Sequence, residues 1–124
     1  MKKVSIAYGD SRLEIKVPEY AEVILPSYPV PFDNSYQEIR KSILNPVNSA
    51  ALKDLVDEND RIAVSICDVT RPMPSAVVLS ALLDELDYVN KNNIRIIIAT
   101  GTHRATTVKE INQMLGAKIT GQYS

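Results

Sequence analysis

The 124-residue sequence predicts an α/β protein in which parallel strands are joined by crossover helices in a Rossmann-like manner, preceded by a β-hairpin. Two short alternating segments surround a Gly-Asp-Ser turn near the start of the chain, and two apolar, β-branched runs follow at residues 61–67 and 94–99. An amphipathic segment at residues 75–89 separates those runs, so the order strand, helix, strand predicts a right-handed crossover between parallel strands. The pattern stops soon after Ile119 without a closing element, so we expect residues 1–124 to form a single, incomplete α/β domain.

The first third of the chain predicts a hairpin and further short elements. Residues 4–8 and 13–17 alternate between apolar and polar side chains, which is typical of paired strands. Residues 23–25 predict another short strand that Pro26 ends, and a proline-rich loop follows. Ser35-Tyr36-Gln37-Glu38 has a capping-box pattern and starts a predicted helix that runs to Leu44, before a second helix at residues 50–56.

The second half carries the predicted parallel strands. Residues 61–67 and 94–99 are almost continuously apolar, which is typical of strands covered on both faces. Pro74 suits the first turn of the helix between them. A capping box of Thr107 with Glu110 opens a last helix, which Gly116 is expected to end.

Composition excludes several classes of function. The net charge is -1 and no basic stripe is present, so we expect no nucleic acid and no anionic membrane as a partner. The single cysteine, Cys67, excludes an internal disulfide and a cysteine-based metal cluster. Met1-Lys2-Lys3 lacks the apolar stretch of a signal peptide, and no run is long enough to span a bilayer, so we expect a cytoplasmic protein.

Two polar motifs stand at equivalent places, each directly after a predicted strand. Asp68-Val69-Thr70-Arg71-Pro72 follows the first strand, and Thr100-Gly101-Thr102-His103-Arg104 follows the second. Ligands of open α/β sheets bind beyond the carboxyl ends of the strands, and neighbouring strands lie about 4.8 Å apart. We therefore expect Asp68, Arg71 and His103 to converge on one ligand.

These residue types suit an anionic ligand. Arg71 offers a planar fork that matches a carboxylate or phosphate, and His103 can move a proton near neutral pH. Asp68 could orient either cation or accept a hydrogen bond from a ligand hydroxyl. Structural roles stay open: Asp68 and Thr70 could cap the next helix, Arg71 could form a surface ion pair, and His103 could be a packing residue. No phosphate-loop pattern and no closed set of metal ligands is present.

In both motifs the sequence resembles the amino-terminal stretch of the nickel-pincer lactate racemase family. The resemblance rests on residues 68–74 and 99–104, in that order and each ending a buried strand, and extends to Tyr8-Gly9, Asn45-Pro46 and Leu115-Gly116. It implies a two-domain α/β enzyme that binds a nickel-holding, nicotinate-derived mononucleotide and racemises or epimerises a small 2-hydroxy acid.

The resemblance also implies roles for particular residues and shows which of the family's functional residues have no counterpart in this sequence. It makes Arg71 a substrate-contacting arginine and His103 one of two acid/base histidines, and it places Asp68, Thr70 and Thr102 at the cofactor. The family's second histidine, its cofactor-anchoring lysine and its nickel-binding histidine lie further along a longer chain and have no counterpart here.

The chemistry of a 2-hydroxy acid is consistent with a histidine that transfers a proton and a cofactor that accepts a hydride. The hydrogen on the hydroxyl-bearing carbon of a 2-hydroxy acid is too weakly acidic, next to a carboxylate, for histidine to remove as a proton. Its transfer as hydride needs a cofactor as the acceptor. Histidine then removes only the proton of the hydroxyl group. We therefore expect a racemase fragment that alone is inactive and binds no nickel, completed by a missing C-terminal segment or a second chain. The alternatives are a stand-alone anion- or nucleotide-binding module, and a purely structural α/β domain.

Overall fold

The computed structural model describes residues 1–123 and consists of two compact units, Met1–Val30 and the part that begins at Pro31. The first unit is the predicted hairpin, in which β1 (Lys2–Tyr8) pairs antiparallel with β2 (Ser11–Val17). The turn between them requires a left-handed residue, which Gly9 provides at φ 55°. The hairpin prediction is confirmed.

The predicted strand at residues 23–25 is wrong. These residues form no regular element, and the Ile24 side chain is 87% exposed. A strand forms by pairing with a neighbouring strand, and within residues 1–123 no strand pairs with this run.

The second unit contains a parallel pair of strands with helices around it. Its elements are α1 (Ser35–Leu44), α2 (Leu52–Leu55), β3 (Ile62–Cys67), α3 (Ser75–Asp84), a 3-10 turn (Lys91–Asn93), β4 (Ile94–Ala99) and α4 (Val108–Thr120). Strands β3 and β4 pair in parallel from Ile62 opposite Ile94 to Cys67 opposite Ala99. The parallel pair and the α/β class are confirmed, although two strands do not define the strand order of a Rossmann-like sheet.

The core lies between one face of this sheet and the helices α3 and α4. Its fully buried members are Leu79, Leu83, Leu86, Val89, Ile94, Leu115 and Ile119. Ile62, Val64 and Ile66 of β3 pack against this cluster, whereas Ala63 and Ser65 between them are exposed. The expectation that both faces are covered is therefore wrong for the described residues, because α3 and α4 pack on the same face.

Helix ends differ from the sequence prediction where local hydrogen bonds decide them. The cap of α1 is Asn34, whose side chain accepts from the Gln37 N–H, so the predicted capping box at Ser35 is wrong. Helix α3 ends at Asp84, five residues early, but two successive turns still carry Leu86 and Val89 into the core. Helix α2 is likewise shorter than predicted.

Helix α4 begins and breaks where the sequence predicts. Thr107 and Glu110 form the full capping box, and Gly116 adopts a non-helical φ of 78° that interrupts the helix before a last turn. Thr106 does not cap, because its hydroxyl is buried without a hydrogen-bond partner among the described residues. Across residues 1–123, none of the helices has the length and apolar character needed to cross a membrane.

Candidate active site

The two loops that follow the parallel strands start side by side. Cys67 and Ala99 are the last paired residues of β3 and β4, so both loops leave the sheet at the same edge. The first loop turns tightly, with the Arg71 N–H donating to the Asp68 carbonyl at 3.2 Å. The second turns through Gly101, at φ 57°, and the His103 N–H donates to the Thr100 carbonyl at 3.0 Å.

A carboxylate–imidazole pair joins the loops. Asp68 Oδ2 lies 2.6 Å from His103 Nδ1, across 35 positions of sequence. Asp68 is 4% exposed, while the His103 side chain is 47% exposed. Asp68 therefore lies beneath the cleft rather than on its rim, and it holds one ring nitrogen while the rest of the imidazole remains accessible.

The second oxygen of Asp68 is held by Thr70. The Thr70 hydroxyl donates to Asp68 Oδ1 at 2.6 Å, and the Thr70 backbone N–H donates to the same oxygen at 3.1 Å. The Thr70 hydroxyl, followed by His103, lowers the pKa of Asp68 from 3.8 to about 2, and burial opposes this shift only partly. The carboxylate is therefore ionised over the whole range in which histidine titrates.

Arg71 lines the same cleft as the imidazole. The cleft holds about 210 Å³ and is bounded by Cys67, Asp68, Arg71, Ala99, Thr100, Gly101, Thr102 and His103. The Arg71 side chain is exposed, and its guanidinium makes no hydrogen bond or ion pair within residues 1–123. Its guanidinium is thus available for an anion that enters the cleft.

The structure brings together four of the five predicted site residues and sets Thr70 behind Asp68. The structural roles left open by the sequence are not the ones observed. The N-cap of α3 is Pro74, with no side-chain cap bond, Arg71 forms no ion pair, and His103 is not buried among apolar side chains. Thr100 and Gly101 also line the cleft; both belong to the motif that follows β4, but neither was predicted as a site residue.

The loop that carries His103 is clamped to α4 just after the histidine. Arg104 donates to both carboxylate oxygens of Glu110, at 2.9 and 2.6 Å, and Glu110 also closes the capping box with Thr107. The Arg104 guanidinium, together with the backbone N–H and the hydroxyl of Thr107, holds the pKa of Glu110 far below its ordinary value. This clamp fixes the backbone within a few residues of His103.

The donor set of the cleft fits part of a nucleotide but not a metal ion. Three or more histidine, cysteine or carboxylate side chains do not come together anywhere in residues 1–123. The lining residues Thr100, Thr102 and Arg71 are of types that suit anionic or polar ligand atoms instead.

Comparison with known proteins identifies the family. Residues 8–124 match the model of the lactate racemase N-terminal domain. The chain belongs to this family. The resemblance drawn from the two strand-end motifs is thereby confirmed, and those motifs lie within the matched region.

Two lactate racemases show how much of a family member this chain represents. It is 36% identical over 121 residues to the lactate racemase of Thermoanaerobacterium thermosaccharolyticum, which covers 94% of this chain and 28% of that protein. It is 36% identical over 84 residues to the lactate racemase of Lactiplantibacillus plantarum, covering 67% and 20% of the two chains. The chain therefore spans less than a third of either relative.

A solved structure gives the same result in three dimensions. The lactate racemase apoprotein from Thermoanaerobacterium thermosaccharolyticum superimposes with a TM-score of 0.75 at 35% sequence identity. The match covers 99% of this chain and 29% of that protein. The α/β fold of the chain is thus that of a lactate racemase N-terminal region.

Proposed function

We propose that this chain supplies one side of the active site of a racemase or epimerase acting on a small 2-hydroxy acid. The observation that carries the proposal is the Asp68–His103 pair beside an unpaired Arg71, in one cleft at the ends of two parallel strands. Lactate is the substrate named for the two relatives, and we take it as the first compound to test.

Arg71 is proposed to bind the substrate carboxylate. A guanidinium makes two parallel hydrogen bonds to a carboxylate, which fixes the orientation of the acid as well as its position. The hydroxyl on the neighbouring carbon is then directed to one place in the cleft. His103, on the opposite loop of the same cleft, is the group able to take the hydroxyl proton there.

His103 is proposed to act as the acid/base group for one enantiomer. With Nδ1 bonded to Asp68, Nε2 accepts the hydroxyl proton in one direction and returns it in the other. The buried carboxylate of Asp68 stabilises the imidazolium that exists between the uptake and the return of the proton, as the aspartate of a catalytic triad does.

A nickel pincer nucleotide is proposed as the cofactor of the complete protein, and when bound it would supply the acceptor for the substrate hydride. Thr102, which lines the cleft, is proposed to contact it. Thr70 lies behind Asp68 and its hydroxyl already donates to that carboxylate, so it would reach the nucleotide only as a hydrogen-bond acceptor. Both oxygens of Asp68 already accept hydrogen bonds from protein groups, so we assign Asp68 to positioning rather than to direct cofactor contact. The nickel ligands would come from residues other than those described here.

We further propose that residues 1–124 are one part of a two-domain cytoplasmic protein with a Rossmann-like sheet. The relatives are much longer than the matched region. The second acid/base histidine and the cofactor-anchoring lysine that the resemblance implies would therefore come from a C-terminal segment or from a second chain. The comparisons do not favour a stand-alone anion-binding module, whose mark would be tight binding of a carboxylate or nucleotide by this chain alone.

A chimera tests the role of Arg71. This chain replaces the matching segment of the Thermoanaerobacterium enzyme, and KM and kcat are measured for both lactate enantiomers. Arg71→Lys should raise KM by about 10- to 100-fold, the value of losing one hydrogen bond to a charged group. Lys109→Gln, which changes an exposed cation elsewhere, is the matched control and should leave KM unchanged. An Arg71→Lys chimera with unaltered KM for both enantiomers would refute the assignment.

A further inference from the structure

We propose that Thr70 is a positioning residue that acts on His103 through Asp68 and sets which nitrogen of the neutral imidazole carries the proton. The inference rests on the acid/base role of His103 proposed above, and it adds Thr70 to the groups on which that role depends. It gives Thr70 a task within the protein that is separate from any contact with a cofactor.

The geometry around Asp68 shows how Thr70 acts. Two donors of Thr70, the hydroxyl at 2.6 Å and the backbone N–H at 3.1 Å, converge on Oδ1. An oxygen held twice cannot swing away without breaking both bonds, so the carboxylate plane is fixed. The other oxygen, Oδ2, is thereby held against His103 Nδ1 at 2.6 Å.

Burial makes this arrangement effective. Asp68 is only 4% exposed, so water competes little for its oxygens and the hydrogen bonds are strengthened by their surroundings. The Thr70 hydroxyl, which is the first cause of the lowered pKa of Asp68, also favours the ionised carboxylate, and that form can only accept hydrogen bonds.

The tautomer of His103 follows from the acceptor. An ionised carboxylate has no proton to donate, so the Nδ1 atom that it contacts must carry the hydrogen. Nε2 of the neutral ring is then unprotonated and able to accept the hydroxyl proton of a substrate. A histidine free in water favours the opposite tautomer, in which Nε2 would be a donor and could not act as a base.

The Thr70 hydroxyl does not serve as a helix cap. The N-cap of α3 is Pro74, with no side-chain cap bond, and the hydroxyl of Thr70 donates to Asp68 instead. The hydroxyl therefore acts on the carboxylate and, through it, on the imidazole.

The single histidine of the chain makes the test direct. In protein labelled with 15N-histidine, only His103 contributes side-chain nitrogen signals, and the spectra are recorded at a pH high enough that these signals are those of the neutral ring. Wild-type protein should show the Nδ1–H tautomer as the major form. Thr70→Val, which keeps the backbone donor and removes the hydroxyl, should lower the ratio of Nδ1–H to Nε2–H about tenfold, the value of one hydrogen bond to a charged group.

Two further variants make the test specific. Thr70→Ser restores a hydroxyl and should return the ratio to the wild-type value. Thr120→Val removes a hydroxyl that bonds only the Gly116 carbonyl at the end of α4, and should leave the ratio unchanged. Circular dichroism of each variant shows whether it is folded, and Thr70→Ala serves in place of Thr70→Val if the latter is not.

The inference is overturned if the wild-type ring is mainly in the Nε2–H form, or if both Thr70 variants without the hydroxyl keep the wild-type ratio. In the chimera, Thr70→Val should lower kcat and leave KM nearly constant, with recovery in Thr70→Ser. The tautomer is measured without substrate, so its outcome is independent of the proposed function. An Nδ1–H ring in a protein whose turnover survives His103→Gln would refute the acid/base role while leaving the Thr70 contact intact.

Discussion

Two adjacent threonines before α4 should respond in opposite ways to the same substitution. Thr107 caps the helix: its hydroxyl accepts from the Glu110 N–H at 3.3 Å and donates to Glu110 Oε2 at 2.8 Å. The hydroxyl of Thr106 is buried and has no hydrogen-bond partner among the described residues. Valine has the shape of threonine without the hydroxyl, so Thr106→Val and Thr107→Val isolate the two hydroxyls.

The magnitudes follow from which hydrogen bonds are lost. Thr107→Val keeps the backbone bond of Thr107 to Glu110, so half of the capping box survives and the cost should be about 1 kcal/mol, within the usual range for an N-cap. Thr106→Val removes a hydroxyl that is desolvated without compensation, so it should be neutral or stabilise by up to about 1 kcal/mol. The free energies of unfolding should therefore differ by about 1–2 kcal/mol.

Thermal unfolding followed by circular dichroism at pH 7 measures this difference. For a unit of this size about 1 kcal/mol corresponds to a Tm change of roughly 4–8 °C, so Thr106→Val should melt about 4–16 °C above Thr107→Val. Equal losses in the two variants, or a larger loss in Thr106→Val, would refute the assignment of the cap to Thr107 alone.

Two further predictions concern the site carboxylate and the core. Because folding lowers the pKa of Asp68 from 3.8 to about 2, its contribution to stability is complete above about pH 4 and is lost as pH falls from 3.8 through 2. Urea unfolding at successive pH values should show this loss in wild type and in the exposed control Asp33→Asn but not in Asp68→Asn, and an identical acid profile in Asp68→Asn would contradict it. Leu79→Ala, at a residue 2% exposed, should cost about 2–5 kcal/mol, whereas Leu55→Ala, at a residue 60% exposed, should cost less than about 1 kcal/mol; similar losses would show that Leu79 is not in the core.

Much of the fold could be predicted because local patterns decide it. The bounds of α1 and β4 agree with the sequence prediction, since Asn45-Pro46 stops the helix and polar turn residues flank the apolar strand. The end of α3 could not be predicted, because Leu86 and Val89 continue the apolar spacing although turns, and not helix, carry them into the core. Sequence also could not tell which face of the sheet the helices cover: Ile97 is as apolar as its neighbours and yet is 51% exposed.

The candidate site was predictable in its location and not in its internal contacts. Parallel strands bring their carboxyl ends to one edge, so the meeting of Arg71 and His103 followed from the order of elements alone. Which oxygen of Asp68 faces the imidazole, and that Thr70 holds the other, depends on side-chain positions across 35 residues of chain. No spacing rule contains that information, and the assignment of Asp68 and Thr70 to a cofactor came from the resemblance to the family and not from their contacts.

The rate of lactate racemisation with and without His103 tests the central assignment most directly. In the chimera described above, His103→Gln keeps a side chain able to form hydrogen bonds but unable to take up a proton. We expect kcat to fall by about 10²- to 10⁴-fold, the usual contribution of an acid/base group, while the variant folds and binds substrate as before. A His103→Gln chimera that racemises lactate at the rate of its parent would show that His103 is not the acid/base group.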